Sequence, residues 1–121
     1  MELPEDLASE RYCVLTTQGR VTGRRHAAEL WFLPAPGGVH LMSGSGGLTS
    51  WCLNLQSEEQ AVLRVGQRSW LARAAFLDRA DPERAAVLER FQERYGRDEP
   101  GRHAAWLRDA IVVHMVFTHE L

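Results

Sequence analysis

The strongest constraint on the fold is that short strand-like segments follow one another in the chain, with only a turn in three of the five connections between them. Six segments have the β-branched, aromatic or alternating composition of strands: 11–17, 26–33, 39–43, 60–65, 68–77 and 110–118. The turn at 34–38 contains two prolines and two glycines, and Gly66 opens a second turn. Proline removes a ladder donor and glycine permits positive φ, so both segments favour hairpins. Parallel doubly wound folds need alternating strands and helices, a pattern that this chain lacks.

A helical pattern at 4–10 precedes the strands, and three more lie between them: from Thr49 or Ser50 to Leu55, 81–95 and 103–109. The pattern at 81–95 has Asp81 as N-cap, Pro82 at the first helical position, and Leu88, Phe91 and Tyr95 on one face. Strands in meander and hairpin order with flanking helices predict a mainly β fold. We expect a six-stranded antiparallel barrel that forms a single domain over residues 1–121.

Composition excludes several classes of protein. A net charge of -2 and a pI near 6.2 argue against a nucleic-acid binder, and no window approaches the ~18 apolar residues of a membrane span. The acidic N-terminus lacks a signal peptide, so we expect a cytoplasmic protein. In that compartment Cys13 and Cys52 are expected to be buried small hydrophobes without a disulfide. At 121 residues, a cofactor cleft would need a loop or a second subunit to close it, which makes a homodimer plausible.

A glycine- and arginine-rich corner joins the first two strand segments. Its candidate binding residues are Thr17, Gly19, Arg20, Thr22, Gly23, Arg24 and Arg25. Glycines permit close backbone approach, threonine hydroxyls and amides donate, and guanidinium groups match phosphate or carboxylate. The corner therefore indicates an anion site. The alternative is a solvated hairpin tip whose arginines only aid solubility.

A second glycine-rich turn, with Ser43, Gly46 and Gly47, runs into a helix. Amides at a helix N-terminus can meet a phosphate or a carbonyl-rich ring edge, although a plain strand-to-helix connection would look the same. Trp51 and Asn54 then lie three apart, on adjacent helical positions. Trp51 is equally consistent with a core position. A buried Asn54 would need hydrogen-bond partners, which makes it the better polar candidate.

No residue pattern predicts a metal site or a nucleophile. His114 and His119 are an odd number apart on a predicted strand and so point to opposite faces. Metal spacing, phosphate-loop and nucleophile-elbow motifs are absent from the sequence. Glu29 is the one acidic residue within an apolar strand segment. Its side chain either faces the barrel mouth or lies on the solvent side.

These segments, in this order, resemble the deazaflavin-dependent nitroreductase family, the F420-binding branch of the split β-barrel flavoproteins. The resemblance covers roughly positions 12 to 118. The matching motifs are T-x-G-R-x-[ST]-G-R at 17–24, the strand at 29–32, S-x-x-G-G at 43–47, W-x-x-N-L at 51–55 and V-x-x-x-G at 62–66.

The resemblance implies an enzyme that binds reduced F420 and passes a hydride from the deazaflavin C5 to a small hydrophobic acceptor. Quinones, nitroaromatics and enones are the acceptors it suggests. The corner would hold the phosphate and part of the glutamate tail, and Asn54 would fix the loop. The cofactor carries the redox chemistry, so no catalytic residue is assigned and the proton comes from solvent or an unidentified donor.

Two alternatives remain open at this point. The same cleft could hold FMN or FAD for a reductase of the same fold. The chain could also be a non-enzymatic carrier of a lipid or fatty acid. Many relatives have a lysine and a proline-bearing insert before the tryptophan, whereas 48–50 is short and uncharged here, as a lost cofactor site would leave it.

Overall fold

The computed structural model describes residues 1–121 and contains seven strands, three α-helices and one short 3-10 helix, Glu5–Leu7. The strands are β1 (Cys13–Gln18), β2 (Arg25–Leu30), β3 (Leu33–Ala35), β4 (Gly38–Ser43), β5 (Gln60–Val65), β6 (Arg68–Phe76) and β7 (Ile111–Glu120). The helices are α1 (Ser50–Ser57), α2 (Pro82–Tyr95) and α3 (His103–Asp109). None of the helices combines the length and the apolar composition that a membrane-crossing helix needs.

All strands pair antiparallel in one sheet of order β2-β1-β5-β6-β7-β4-β3. β2 and β3 lie at opposite edges of this sheet, yet only Trp31 and Phe32 separate them in the chain. The three steps from Leu30 to Leu33 span at most about 11 Å, so the sheet must curl until its edges approach each other. The predicted antiparallel split barrel is therefore confirmed, with the split between β2 and β3.

The predicted strand count of six is wrong, because the expected second strand at 26–33 breaks into β2 and β3. At the break, the Tyr95 hydroxyl accepts from the Phe32 amide (3.2 Å) and donates to the Phe32 carbonyl (3.0 Å). Arg94 Nη1 also donates to that carbonyl, at 3.1 Å. These side chains occupy the groups that would have continued the ladder. Pro34 fits within β3 because the strand lies at an edge, where one missing donor is tolerated.

The helices lie where the sequence predicts them, except that the first is shorter than expected. Asp81 caps α2 by accepting from the Glu83 amide at 2.9 Å, and Leu88, Phe91 and Tyr95 are fully buried. The leading helix expected at 4–10 shrinks to one 3-10 turn over Glu5–Leu7. So short a segment forms few helical bonds for the entropy it loses, and here it only brings Leu7 to the core.

Two apolar clusters fill the protein. The larger lies inside the barrel and includes Trp70, Trp51 and both cysteines, which are buried as expected. The smaller packs α2 and α3 against the outside of β7 and includes Phe91 and Trp106. The corner between β1 and β2 lies at the β2 end of the sheet order, away from β7, and most of its residues are exposed.

Candidate functional site

The glycine- and arginine-rich corner is a closed loop between β1 and β2. The Gly19 amide donates to the Arg24 carbonyl at 2.7 Å, and the Gly23 amide donates to the Gly19 carbonyl at 2.9 Å. Gly23 has φ +78°, and a Cβ at Gly19 would lie 2.8 Å from both the Arg24 carbonyl oxygen and the His26 ring. Both glycines are therefore required by the loop itself.

Asn54, on α1, fastens this loop. Its side-chain oxygen accepts from the Arg20 amide (3.1 Å) and from Arg20 Nη1 (2.9 Å). Its side-chain nitrogen donates to the Thr17 hydroxyl at 3.0 Å. Asn54 is only 1% exposed, so the expectation that a buried asparagine here needs partners is met. Thr17 serves as one of those partners from its buried position at 1% exposure.

A cavity of about 240 Å³ lies between the corner and the start of α1, and we call it the corner cavity. Its lining residues are Gly19, Arg20, Val21, Thr22, His26, Ser50 and Asn54. Thr49, the N-cap residue of α1, makes no capping hydrogen bond because its hydroxyl pairs with the Ser43 hydroxyl at 3.1 Å. The first amides of α1 therefore lack a side-chain acceptor beside the cavity.

The corner arginines have no acidic partner. Arg20, Arg24 and Arg25 are exposed and make none of the ion pairs in the protein, whereas five other arginines pair with carboxylates. Three unpaired guanidinium groups and an uncapped helix start give this end of the molecule a local positive potential despite the net charge of -2. Such a donor set suits an anionic ligand.

The candidate residues do not all converge on the corner cavity. Arg25 and Gly23 line a different open cleft of about 390 Å³, together with Thr17. Arg24 lines neither space. Thr22 lines the corner cavity, and its hydroxyl accepts from the Arg24 amide at 3.3 Å.

The second glycine-rich turn packs against the start of β7. Gly46 and Gly47 have φ +67° and +81°, and a Cβ at Gly47 would lie 3.0 Å from Ile111 Cγ1. The Ser43 hydroxyl is buried in its pair with Thr49 and faces no cavity. Trp51 is 7% exposed and belongs to the barrel core, as its alternative interpretation expected.

A further cleft of about 300 Å³ opens where the barrel is split, and we call it the aromatic cleft. It is lined by Tyr12, Glu29, Leu30, Trp31, Met42, Gly44, Ser45, Glu99, Arg102 and Trp106. Trp31 stacks on Tyr95 with ring centroids 4.6 Å apart and meets the edge of Trp106 at 6.0 Å. Sequence reasoning assigned no site role to Tyr12, Trp31 or Trp106, because no spacing links three segments so far apart. Glu29 is exposed and lines this cleft.

The structure holds no group of three or more histidine, cysteine or acidic side chains placed to bind a metal ion. Burial raises the pKa of Cys13 to about 12 and raises the pKa of Cys52 as well. Both thiols are therefore protonated and unreactive at neutral pH.

Comparison with protein families gives one match, which covers residues 3–113. The matching model is described as F420H(2)-dependent quinone reductase. No curated protein matches the chain.

Solved structures with the same fold include proteins of several kinds. HutZ, a heme storage protein from Vibrio cholerae, has a TM-score of 0.74 at 16% identity, covering 98% of this chain and 92% of its own. An FAD-binding protein from Mesorhizobium loti has a TM-score of 0.71 at 13% identity, with coverages of 99% and 94%. The conserved hypothetical protein Rv2991 from Mycobacterium tuberculosis has a TM-score of 0.74 at 18% identity, with coverages of 98% and 82%. At these identities the likeness shows the fold alone.

Proposed function

Since this chain belongs to the F420H(2)-dependent quinone reductase family, we propose that it is an F420-dependent oxidoreductase that reduces a small hydrophobic acceptor. Quinones, nitroaromatics and enones are the acceptor classes. The observation that carries the proposal is the corner cavity, which is lined by Arg20, an arginine without an ion-pair partner, and by the uncapped start of α1.

The donors of the corner cavity fit the anionic part of F420. Arg20 would contact the phosphate or a tail carboxylate, and amides at the start of α1, beside Ser50, would donate to the same group. A volume of about 240 Å³ is below the range of pockets that enclose a whole ligand. The cavity is therefore proposed to hold only the phosphate end. Asn54 would keep Arg20 in place through its two bonds to that residue.

The aromatic cleft is the proposed place of the acceptor. Ser45 lines the aromatic cleft and Ser50 lines the corner cavity. These two residues are five apart in the chain, so their Cα atoms are at most about 18 Å apart. An extended cofactor such as F420 can therefore reach from the corner cavity to the aromatic cleft. When bound, reduced F420 would supply a hydride to the acceptor, and water would supply the proton that completes the two-electron reduction. The chain's own contribution is to bind, orient and shield both partners.

A flavin is the second candidate cofactor, because the similar structure from Mesorhizobium loti is described as FAD-binding. FMN carries less negative charge than F420, so the arginine-rich corner favours F420. A lipid or fatty-acid carrier is the non-enzymatic alternative. We also propose a homodimer in which a second copy helps to close the open clefts.

Titration of the purified protein with F420, FMN and a fatty acid, at low and high salt, tests the cofactor assignment. We expect F420 to bind more tightly than FMN, with the difference shrinking at high salt because exposed charges are screened over about 8 Å at physiological ionic strength. Replacing Arg20 and Arg24 with alanine should weaken F420 binding by about 2 to 4 kcal/mol.

The matched control is the double variant of Arg79 and Arg97, two exposed arginines that also lack an acidic partner. It should bind F420 as the wild type does. Equal FMN and F420 affinities at both salt concentrations would favour the flavin alternative. Binding of a fatty acid without either cofactor would support the carrier and end the reductase proposal.

A further inference from the structure

We propose that the aromatic cleft selects acceptors by charge, that it prefers flat neutral or cationic aromatic compounds to anionic ones, and that Glu29 sets this preference. The inference rests on the proposed function, because it names the acceptor class of the same site. Its evidence is the set of side chains that line the cleft, which is independent of the corner cavity.

The walls of the cleft fit a flat apolar ring. Trp31, Trp106, Tyr12 and Met42 supply the apolar surface. Trp31 lies almost parallel to Tyr95, at an interplanar angle of 9°, so its ring is supported from behind. Aromatic side chains prefer offset stacking or edge contacts, and a flat ligand can make them with the part of the Trp31 ring that Tyr95 and Trp106 leave uncovered.

The wall formed by Trp106 is fixed by the structure behind it. Arg84, a buried residue of α2, donates to the carbonyls of Leu107 (2.9 Å), Trp106 (3.2 Å) and Ala110 (2.8 Å). These bonds hold the end of α3 and therefore the backbone of Trp106. The Trp106 wall of the cleft is therefore formed before a ligand binds.

The charged side chains that line the cleft are two carboxylates and one arginine, a net charge of −1. Glu99 and Arg102 form an ion pair at 3.8 Å, so their charges largely cancel at the rim. Glu29 makes no ion pair or hydrogen bond and supplies the remaining carboxylate. It lies two residues before Trp31, and both residues line the cleft. An anionic substituent on a ring against Trp31 would lie near this carboxylate, and a cationic one would be attracted to it.

The two ends of the candidate site thus carry opposite charge. The corner contains three arginines without an ion-pair partner, and the aromatic cleft is lined by one carboxylate without such a partner. This polarity would also orient the two ligands. An anionic cofactor tail is attracted to the corner and repelled from the cleft, so the cleft stays available for the acceptor.

The test measures binding to the full chain without cofactor, using three probes of one shape. These are 1,4-naphthoquinone, its 2-sulfonate, and a derivative with a trimethylammoniummethyl group at the same carbon. Affinities come from calorimetry, and the position of binding comes from the indole N–H signals in nuclear magnetic resonance spectra. Trp31 and Trp106 should shift, whereas Trp51 and Trp70, which belong to the barrel core and do not line the cleft, should not.

We expect the order cationic, neutral, anionic, with about two- to fivefold between neighbours at low salt, since exposed charge pairs contribute on this scale. Glu29→Gln should reduce the ratio of cationic to anionic affinity by about the same factor. Arg102→Gln should raise that ratio, because it leaves Glu99 unpaired. Glu89→Gln makes the same charge change on the exposed face of α2 and should leave the ratio unchanged.

Unchanged ratios in both cleft variants, or a tighter fit of the sulfonate to the wild type, would overturn the inference. Shifts at Trp51 or Trp70 in place of Trp31 would overturn it as well. The proposed function fails separately: if F420 does not bind while the charge preference of the probes persists, the cleft inference stands without the reductase. If F420 binds and the preference is absent, the reductase proposal stands without charge selection.

Discussion

At the scale of single residues, Asn54 links two segments that are 34 residues apart in the chain. An asparagine side chain has two acceptor sites and two donor hydrogens, and here three of these four are used, by Arg20 twice and by Thr17 once. The residue therefore couples the stability of the barrel to the shape of the corner. That coupling gives a prediction with two separate readouts.

Replacing Asn54 with alanine should lower the free energy of unfolding by about 2 to 3 kcal/mol, because buried partners are left without a hydrogen bond. F420 affinity should fall in the same variant, since Arg20 is no longer held. Urea denaturation and cofactor titration measure the two effects. Gln56→Ala, an exposed change on the same helix, is the control and should change neither. A stable Asn54→Ala protein with wild-type affinity would contradict the positioning role.

At the scale of elements, α3 is only seven residues long and depends on its neighbour. Helices this short are marginal alone, so packing must hold them. Trp106 supplies the apolar contact, and the Arg84 guanidinium donates hydrogen bonds to the carbonyls at the C-terminal end of α3. Charge-assisted bonds of this kind also favour the negative end of a helix dipole.

Arg84→Met keeps much of the apolar volume and removes the donors. We expect a loss of about 2 to 4 kcal/mol in stability, because the carbonyls of α3 lose a charged donor in a buried setting. Amide hydrogen exchange should show faster opening of α3 than of the barrel strands. Arg90→Met, an exposed change on the same helix, serves as the reference. If the amides of α3 exchange at the same rate in Arg84→Met as in Arg90→Met, apolar packing alone holds the helix.

At the scale of the whole molecule, the antiparallel sheet places His40 of β4 directly opposite His114 of β7. His40 is 1% exposed, and its Nδ1 has no hydrogen-bond partner. Burial, together with the charges of His114 and Arg90, lowers the pKa of His40 to about 4. The carboxylate of Glu83 lies 4.0 Å from His40 Nε2 and would favour the charged imidazole, but its side chain is exposed to solvent. The folded protein thus keeps this histidine neutral over most of the pH range.

This histidine should make global stability depend on pH. Between about pH 6.5 and pH 4 the unfolded chain binds a proton at His40 that the folded protein does not, so stability falls as the pH falls through this window. The full effect is about 3 kcal/mol. Urea denaturation at pH 7 and pH 4 should therefore give a smaller difference for His40→Gln than for the wild type. His119→Gln, at an exposed position, should follow the wild type. Parallel curves for all three proteins would contradict the prediction.

The sequence by itself determined the elements whose signals are local. Alternation and turn residues located the hairpin of β5 and β6, and the Asp81 cap with its apolar face located α2, because both depend on neighbours within a few residues. The corner was recognised for the same reason, since its glycines and arginines are contiguous. Asn54 was singled out because an amide among leucines must find partners if it is buried.

Only the tertiary structure decided where distant segments meet. The seventh strand exists because Tyr95 binds the backbone of Phe32 from 63 residues away, and no local pattern encodes that contact. The aromatic cleft likewise joins Tyr12, Trp31 and Trp106, which approach one another only after the sheet curls and α3 packs on its outside. The same folding separated Arg25 from Arg20, which the sequence had grouped in one loop. Motifs of neighbouring residues can be recognised in the sequence. The side of the sheet that each residue faces is fixed by strand pairing and by packing between distant elements.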